Sequence, residues 1–210
     1  MDKHLTWKNH INNLYQRVHY TLRTLYKLKN FLSVKQKTYL VQTLIFPLFD
    51  YCDVIYNDMS AELSRKIQRL HNTCVRFVFN LKYYDHITPY LHKLGWLPLH
   101  LKRELHILCR TYSILRTETP DYLFAKYTYL SAHGRNTRGE NLLLIPKHHT
   151  VMYEKSFLTS STKLWNNIPA RVRDTHSRAK FKLMCTEELH KKGNNDLILP
   201  GIIIVIQHCD

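Results

Sequence analysis

The closest-spaced aspartates in the chain, Asp50 and Asp53, are the pair whose type and spacing come nearest to phosphoryl-transfer chemistry. Nucleotide transfer needs carboxylates that clamp two metal ions around the incoming phosphate. This pair follows an expected helix end at Pro47, and spacing marks out no third carboxylate. Helix-end charges and turn formers are therefore expected, and no catalytic residue is assigned. Cys185, His190, His208 and Cys209 have ligand chemistry, but their spacing fits no zinc knuckle, so no metal ligand is assigned. Cys74 and Cys109 fall on or beside apolar stripes, where a thiol behaves as a small hydrophobe. With 5 glycines in 210 residues, neither a Walker nor a Rossmann phosphate loop is present.

What remains is charge. Lys+Arg 31 against Asp+Glu 16 gives +15, with 14 His in reserve. Such a balance fits a polyanion, either nucleic acid or an acidic membrane surface. Interleaved Tyr and Arg favour RNA or DNA, held through its phosphate backbone. The residues expected to make those contacts are Arg65, Lys66, Arg69, Asn72, Arg76, Lys102, Arg103, Arg135 and Arg138. Tyr83-Tyr84 and Tyr127–Tyr129 lie near basic residues, where either base stacking or plain solvation is open to them. No cofactor and no small-molecule substrate are expected. Five dispersed cysteines without a C-x-x-C read as free thiols in a reducing compartment. The polar start Met1–His10 argues against a secretory signal, and Leu197–Ile206 is too short to span a bilayer. A nuclear or cytoplasmic location without membrane contact is expected.

The elements that must position these residues read as helices. Ile11, Leu14, Val18, Leu22, Leu25 and Leu28 recur in steps that share one face with Trp7. Ser33 and Gln36 form a capping box that opens a second helix, and Pro47 ends or kinks it. From Ser60 to Leu81 the stripe Leu63, Ile67, Leu70, Cys74 and Phe77 is the cleanest in the chain. Its other side carries Arg65, Lys66, Arg69, Asn72 and Arg76, so one helix docks on a core and faces phosphates at once. Thr88-Pro89 reads as a cap with Pro at the first helical position, a start that Thr119-Pro120 repeats. Gly95 suits the left-handed residue that ends a short helix. Pro98 opens a helix carrying Leu101, Leu105, Leu108, Tyr112 and Leu115, and Trp96 and Trp165 read as core anchors. Leu142–Ile145 and Val151–Tyr153 are expected to form a short hairpin in a basic loop with Lys147, His148 and His149. Ser156 and Ser177 start two further helices, the last reaching about His190, and Gly193-Asn194-Asn195 marks a break.

A set of signatures runs through these elements in order. Leu5-Thr6-Trp7 with His10-Ile11 comes first, then Pro47 with Tyr51, and Leu70-His71-Asn72 with Arg76-Phe77. Asp85-His86-Ile87-Thr88-Pro89 follows, running into Leu94-Gly95-Trp96-Leu97-Pro98-Leu99. Pro120 with Tyr122-Leu123, Thr137-Arg138, Ser156-Phe157, Leu164-Trp165-Asn166-Asn167-Ile168-Pro169 and Phe181-Lys182 complete it. Over about Leu5 to about Leu189 this resembles the C-terminal part of non-LTR (LINE-type) retrotransposon reverse transcriptases. The resemblance implies a mainly α chain. Residues 1–82 would be a thumb-like helical bundle, and 83–192 a helical C-terminal extension with a basic loop and a small β element. Residues 193–210 would be an unmatched tail. Position 71 is His where the family usually has Gln. In the family the palm, with its Tyr-x-Asp-Asp strand and Mg²⁺, precedes this part. The implied role is therefore the nucleic-acid-handling portion of an RNA-directed DNA polymerase, inactive alone, with a palm domain as its missing partner. A thumb separated from its palm is expected to leave one face of the early helices uncovered, including Trp7, Leu14 or Phe46. The alternative is a transposon relic, or an interaction protein with no dedicated ligand.

Overall fold

The structure, a computed structural model, describes residues 6–130 and 142–196. It is mainly helical. Helix α1 (Lys8–Lys27) buries Ile11, Leu14, Val18, Leu22 and Leu25 of the expected stripe, whereas Leu28 falls at the helix cap and is exposed. Helix α2 (Val34–Leu44) opens on the Ser33–Gln36 capping box and stops at Ile45. Pro47 then sits in the first turn of α3 (Phe46–Asp50), where its missing N–H costs nothing. Helix α4 (Ala61–Phe79) is capped by Ser60 and ends at Asn80 in the left-handed region. It buries Ile67, Leu70, His71, Cys74, Val75, Phe77 and Val78, a wider band than one stripe, because it packs against both α1 and α2.

Helices α1 and α4 run parallel. Trp7 Nε1 donates to the Asp58 carboxylate at 2.6 Å, Lys66 meets Asn12 at 2.7 Å, and Tyr26 meets Phe77 with ring centroids 5.1 Å apart. Helix α2 returns antiparallel, so that Lys37 near its start reaches Asn80 at the end of α4 (2.9 Å) and covers the Phe77 ring. Leu14 is buried, and Trp7 and Phe46 are partly buried against the same core. The uncovered face expected at those three residues is thus closed by the chain's own packing. Apolar exposure falls instead on Phe31, Val34 and Tyr39, at the α1–α2 turn and along α2.

Helix α5 (Thr88–Leu94) begins at Ile87 with no side-chain cap, so Thr88 is its first residue rather than its cap. Gly95 ends it at φ 63°. The next residues join two cores: Trp96 and Leu99 belong to the first, while Leu97 belongs to the second. Helix α6 (Leu99–Thr117) carries the second core through Leu101, Leu105, Leu108, Tyr112 and Ile114. The short α7 (Asp121–Phe124) follows Pro120, which itself takes the cap position.

The small β element differs from the expected hairpin. Leu143 bridges Tyr129, flanked by Leu130 N–H to Leu142 O (2.9 Å) and Leu144 N–H to Thr128 O (2.7 Å). Asn166 completes the other edge of Leu143, accepting from its N–H at 2.9 Å and donating to its carbonyl at 2.8 Å. Val151–Tyr153 pairs with nothing of this kind. It lies in α8 (Val151–Glu154), because the Thr150 hydroxyl caps the Tyr153 N–H and starts a helical turn.

Helices α9 (Phe157–Asn167), α10 (Ala170–Arg173) and α11 (Arg178–Asp196) close the second core. Its centre is an aromatic stack in which Phe181 lies 4.3 Å from Tyr112 and 5.9 Å from Trp165. The break expected at Gly193 is absent. Helix α11 continues past it, and a Cβ there would meet Leu101 at 2.9 Å. The glycine permits close helix packing rather than ending the helix.

His71 shows how tightly the first core is built. It is fully buried among Phe46, Phe49 and Trp96, stacked on Phe46 at 5.7 Å. Burial, aided by Lys102, pushes its imidazole from 6.5 down to about 3. The unfolded chain takes up a proton there below about pH 6.5, whereas the folded chain does so only near pH 3, so acid favours unfolding across that window. His71→Gln should lower the pH-dependence of the unfolding free energy there by about 1.4 kcal/mol per pH unit. Urea titrations of parent and variant between pH 4 and 7 check this, and parallel curves would contradict a neutral buried His71.

Candidate nucleic-acid interface

Burial of the apolar side of α4 fixes its rotation and turns Arg65, Arg69 and Arg76 to the opposite side, Arg65 and Arg69 one turn apart and Arg76 two turns further on. Arg65 and Arg69 are exposed. Arg76 is half-buried and does local work: Nε donates to Lys82 O at 3.4 Å and Nη2 to Tyr83 O at 3.0 Å. Its guanidinium also lies 5.7 Å from the Tyr83 ring centroid. Lys66 sits at the seam with α1, bound to Asn12 and 5.0 Å over the Tyr15 ring. Asn72 turns the other way. It accepts from Gln68, whose own carbonyl takes the Leu99 N–H at the start of α6 (2.9 Å each).

Helix α1 carries exposed residues that the sequence reading passed over. Tyr15, His19 and Arg23 recur every fourth residue on α1 and are exposed, beside Tyr20. Tyr15 and His19 are stacked at 5.8 Å. Further along, burial and the neighbouring Cys74 push the Tyr26 hydroxyl up, and Arg76 pulls it back. A signal for this stripe stands in the sequence. Between Asp2 and Asp50 there are 8 Lys or Arg and no Asp or Glu.

Lys102 and Arg103 belong to the interior rather than to this surface. Lys102 Nζ lies 2.6 and 2.8 Å from the two Asp50 oxygens and 4.2 Å over the Phe46 ring. Arg103 is 5 % exposed, and its guanidinium lies 5.7 Å from the Tyr56 ring. Burial lowers its pKa, while Tyr56 and Asp53 oppose that shift. Both side chains face back toward α3 and the turn after it, which a charge count in the sequence does not reveal.

The same contacts engage both aspartates. Asp50, Asp53 and His106 bring three potential ligand atoms within 4.8 Å of one another. Lys102 occupies the cation position at Asp50, and His106 Nδ1 lies 2.6 Å from Asp53 Oδ2. Two carboxylates facing a lysine, an arginine and a histidine are already compensated, which disfavours a further dication. The cluster ties α6 to α3.

Arg135 and Arg138 lie outside the described residues, as do His208 and Cys209. Cys74, Cys109 and Cys185 are buried free thiols, and Cys52 is an exposed one. Burial pushes the Cys185 thiol up to about 12 and raises that of Cys109, so neither is an activated nucleophile. Tyr127 is buried with its hydroxyl 2.7 Å from Ser161, which removes it from any stacking surface. Trp96 and Trp165 are buried in the first and second cores. No described helix is long and apolar enough to cross a membrane. Comparison with protein families, curated proteins and solved structures finds no match to this chain.

Asp53→Asn should reduce stability by about 1–3 kcal/mol, because it removes the carboxylate that faces the buried Arg103 guanidinium. Arg65→Ala and Arg69→Ala should each stay within about 0.5 kcal/mol of the parent. Urea denaturation measures all three, and a neutral Asp53→Asn would show that the cluster does not hold α6.

Proposed function

We propose that this chain binds RNA or DNA through the phosphate backbone, along the ridge formed by α1 and α4. The observation that carries the reading is the convergence of an acid-free α1 with the exposed Arg65–Arg69 stripe of α4. Positive charge left unpaired on a folded surface attracts polyanions and releases their counterions on binding. The Tyr15 ring at the seam and the exposed Tyr20 on α1 add stacking surfaces that tolerate any base. Backbone contacts carry no base information, so sequence preference is weak.

This role accords with the resemblance to the thumb and post-thumb part of LINE-type reverse transcriptases, whose task is to hold template and target. The sequence contains no Tyr-x-Asp-Asp motif, and its closest aspartates are engaged by Lys102 and His106. The proposed contribution is therefore binding rather than nucleotide transfer.

Fluorescence anisotropy with a single-stranded RNA, across a salt series, tests the reading. With about four to six phosphate contacts, log K against log salt should fall with a slope of roughly −3 to −5. The R65A/R69A double variant should flatten that slope by roughly 1 to 2. Arg76 is left in place because it braces the following turn. An unchanged slope, with both proteins folded by circular dichroism, would remove α4 from the binding surface.

A further inference from the structure

Between α4 and α5 the chain turns sharply and presents two tyrosines to solvent. Tyr83 is 78 % exposed and Tyr84 90 %, with their rings perpendicular and 5.1 Å apart. The turn that bears them is braced from beneath. The Asp85 carboxylate accepts the Lys82 N–H at 2.7 Å, and the Asp85 N–H donates to Lys82 O at 3.3 Å. Arg76 holds the carbonyls of Lys82 and Tyr83. Nearby aromatics behave differently: Phe79 and Tyr90 pack together at 4.8 Å and join the first core. Tyr83 and Tyr84 are thus held away from apolar cover by hydrogen bonds that the chain makes for that turn.

Their surroundings are basic. Arg76 lies over one face of Tyr83, and Lys82 and His86 flank the pair. The single acid of the turn, Asp85, is spent on the Lys82 amide. The turn also continues the ridge. From Arg65 to Arg76, α4 rises by about 16 Å, and its last arginine touches Tyr83.

We propose that Tyr83 and Tyr84 form a stacking platform for unpaired bases, so that the chain selects single-stranded over duplex nucleic acid. The proposal rests on the backbone-binding reading of α1 and α4. Phosphates running along the arginine stripe deliver the next bases to the turn, where each ring offers an open face. A duplex buries its base faces against one another, so it reaches the ridge but not the platform. Tyrosine loses little rotamer freedom on contact, and every base has a face to offer, so the platform favours strandedness rather than sequence.

The test compares anisotropy titrations of three probes of equal length: a single-stranded oligodeoxynucleotide, an abasic strand with the same phosphates, and a blunt duplex. The parent should bind the single strand at least ~10-fold more tightly than the abasic strand. Y83A/Y84A should lose at least ~10-fold on the single strand, while its abasic and duplex affinities stay within about twofold and its salt slope is unchanged. Y83F/Y84F, which keeps both rings, should bind like the parent. Circular dichroism checks that each variant is folded. If Y83A/Y84A binds the single strand as the parent does, the platform is overturned while the backbone reading stands. If the parent binds none of the three at low salt, both fall.

Discussion

The parallel packing of α4 on α1 is the constraint from which the rest of the molecule follows. Leu70, Cys74 and Phe77 of α4 and Leu14, Val18 and Leu22 of α1 are all buried in one core. Removing those side chains from water fixes how each helix is rotated. Once that is set, Arg65 and Arg69 are left exposed, and Tyr15, with His19 stacked on it, lies against the neighbouring Lys66. The ridge is thus a by-product of core burial. Lys66 shows the coupling most directly, since its ammonium joins the two helices while remaining on their shared surface.

A second constraint decides which charges remain available. Helix α6 begins in the first core and runs into the second, and its first turns carry Lys102, Arg103 and His106. Those groups meet Asp50, Asp53 and Tyr56, from α3 and the turn after it. Half-buried charges that compensate one another contribute modestly to stability, but leaving one unpaired is costly. Lys102 and Arg103 are therefore committed to tying α6 to α3 and the turn after it. Exposed cations remain on both cores, Arg110, Arg178 and Lys180 among those of the second, and what sets the first apart is the run without an acid between Asp2 and Asp50.

Much of the fold is legible in the sequence because burial in helices has a period. The stripes of α1, α4 and α6, apart from Leu28 at the end of α1, and the caps at Ser33, Ser60 and Ser156 stand in the structure as their spacing implies. What is not legible depends on contacts distant along the chain. Val151–Tyr153 has strand-like residues, yet a threonine hydroxyl at its start is enough to coil it. Gly193 looks like a stop, yet it marks the place where α11 approaches Leu101. Lys102 and Arg103 look like surface charges until Asp50 and Tyr56 are brought beneath them. The α1 stripe was open to reading, but a whole-chain charge total hides where the acids are missing.

The central claim is that one face of the first core, and not the molecule's general charge, meets nucleic acid. Amide chemical-shift mapping during titration with a short single-stranded oligonucleotide addresses this most directly. The account predicts shifts concentrated at Tyr15, His19 and Arg23 of α1, at Arg65, Lys66 and Arg69 of α4, and in the turn at Tyr83 and Tyr84. Amides of α9 and α11 should stay within noise. Shifts spread evenly over exposed lysines and arginines of both cores, or centred on α11, would contradict it.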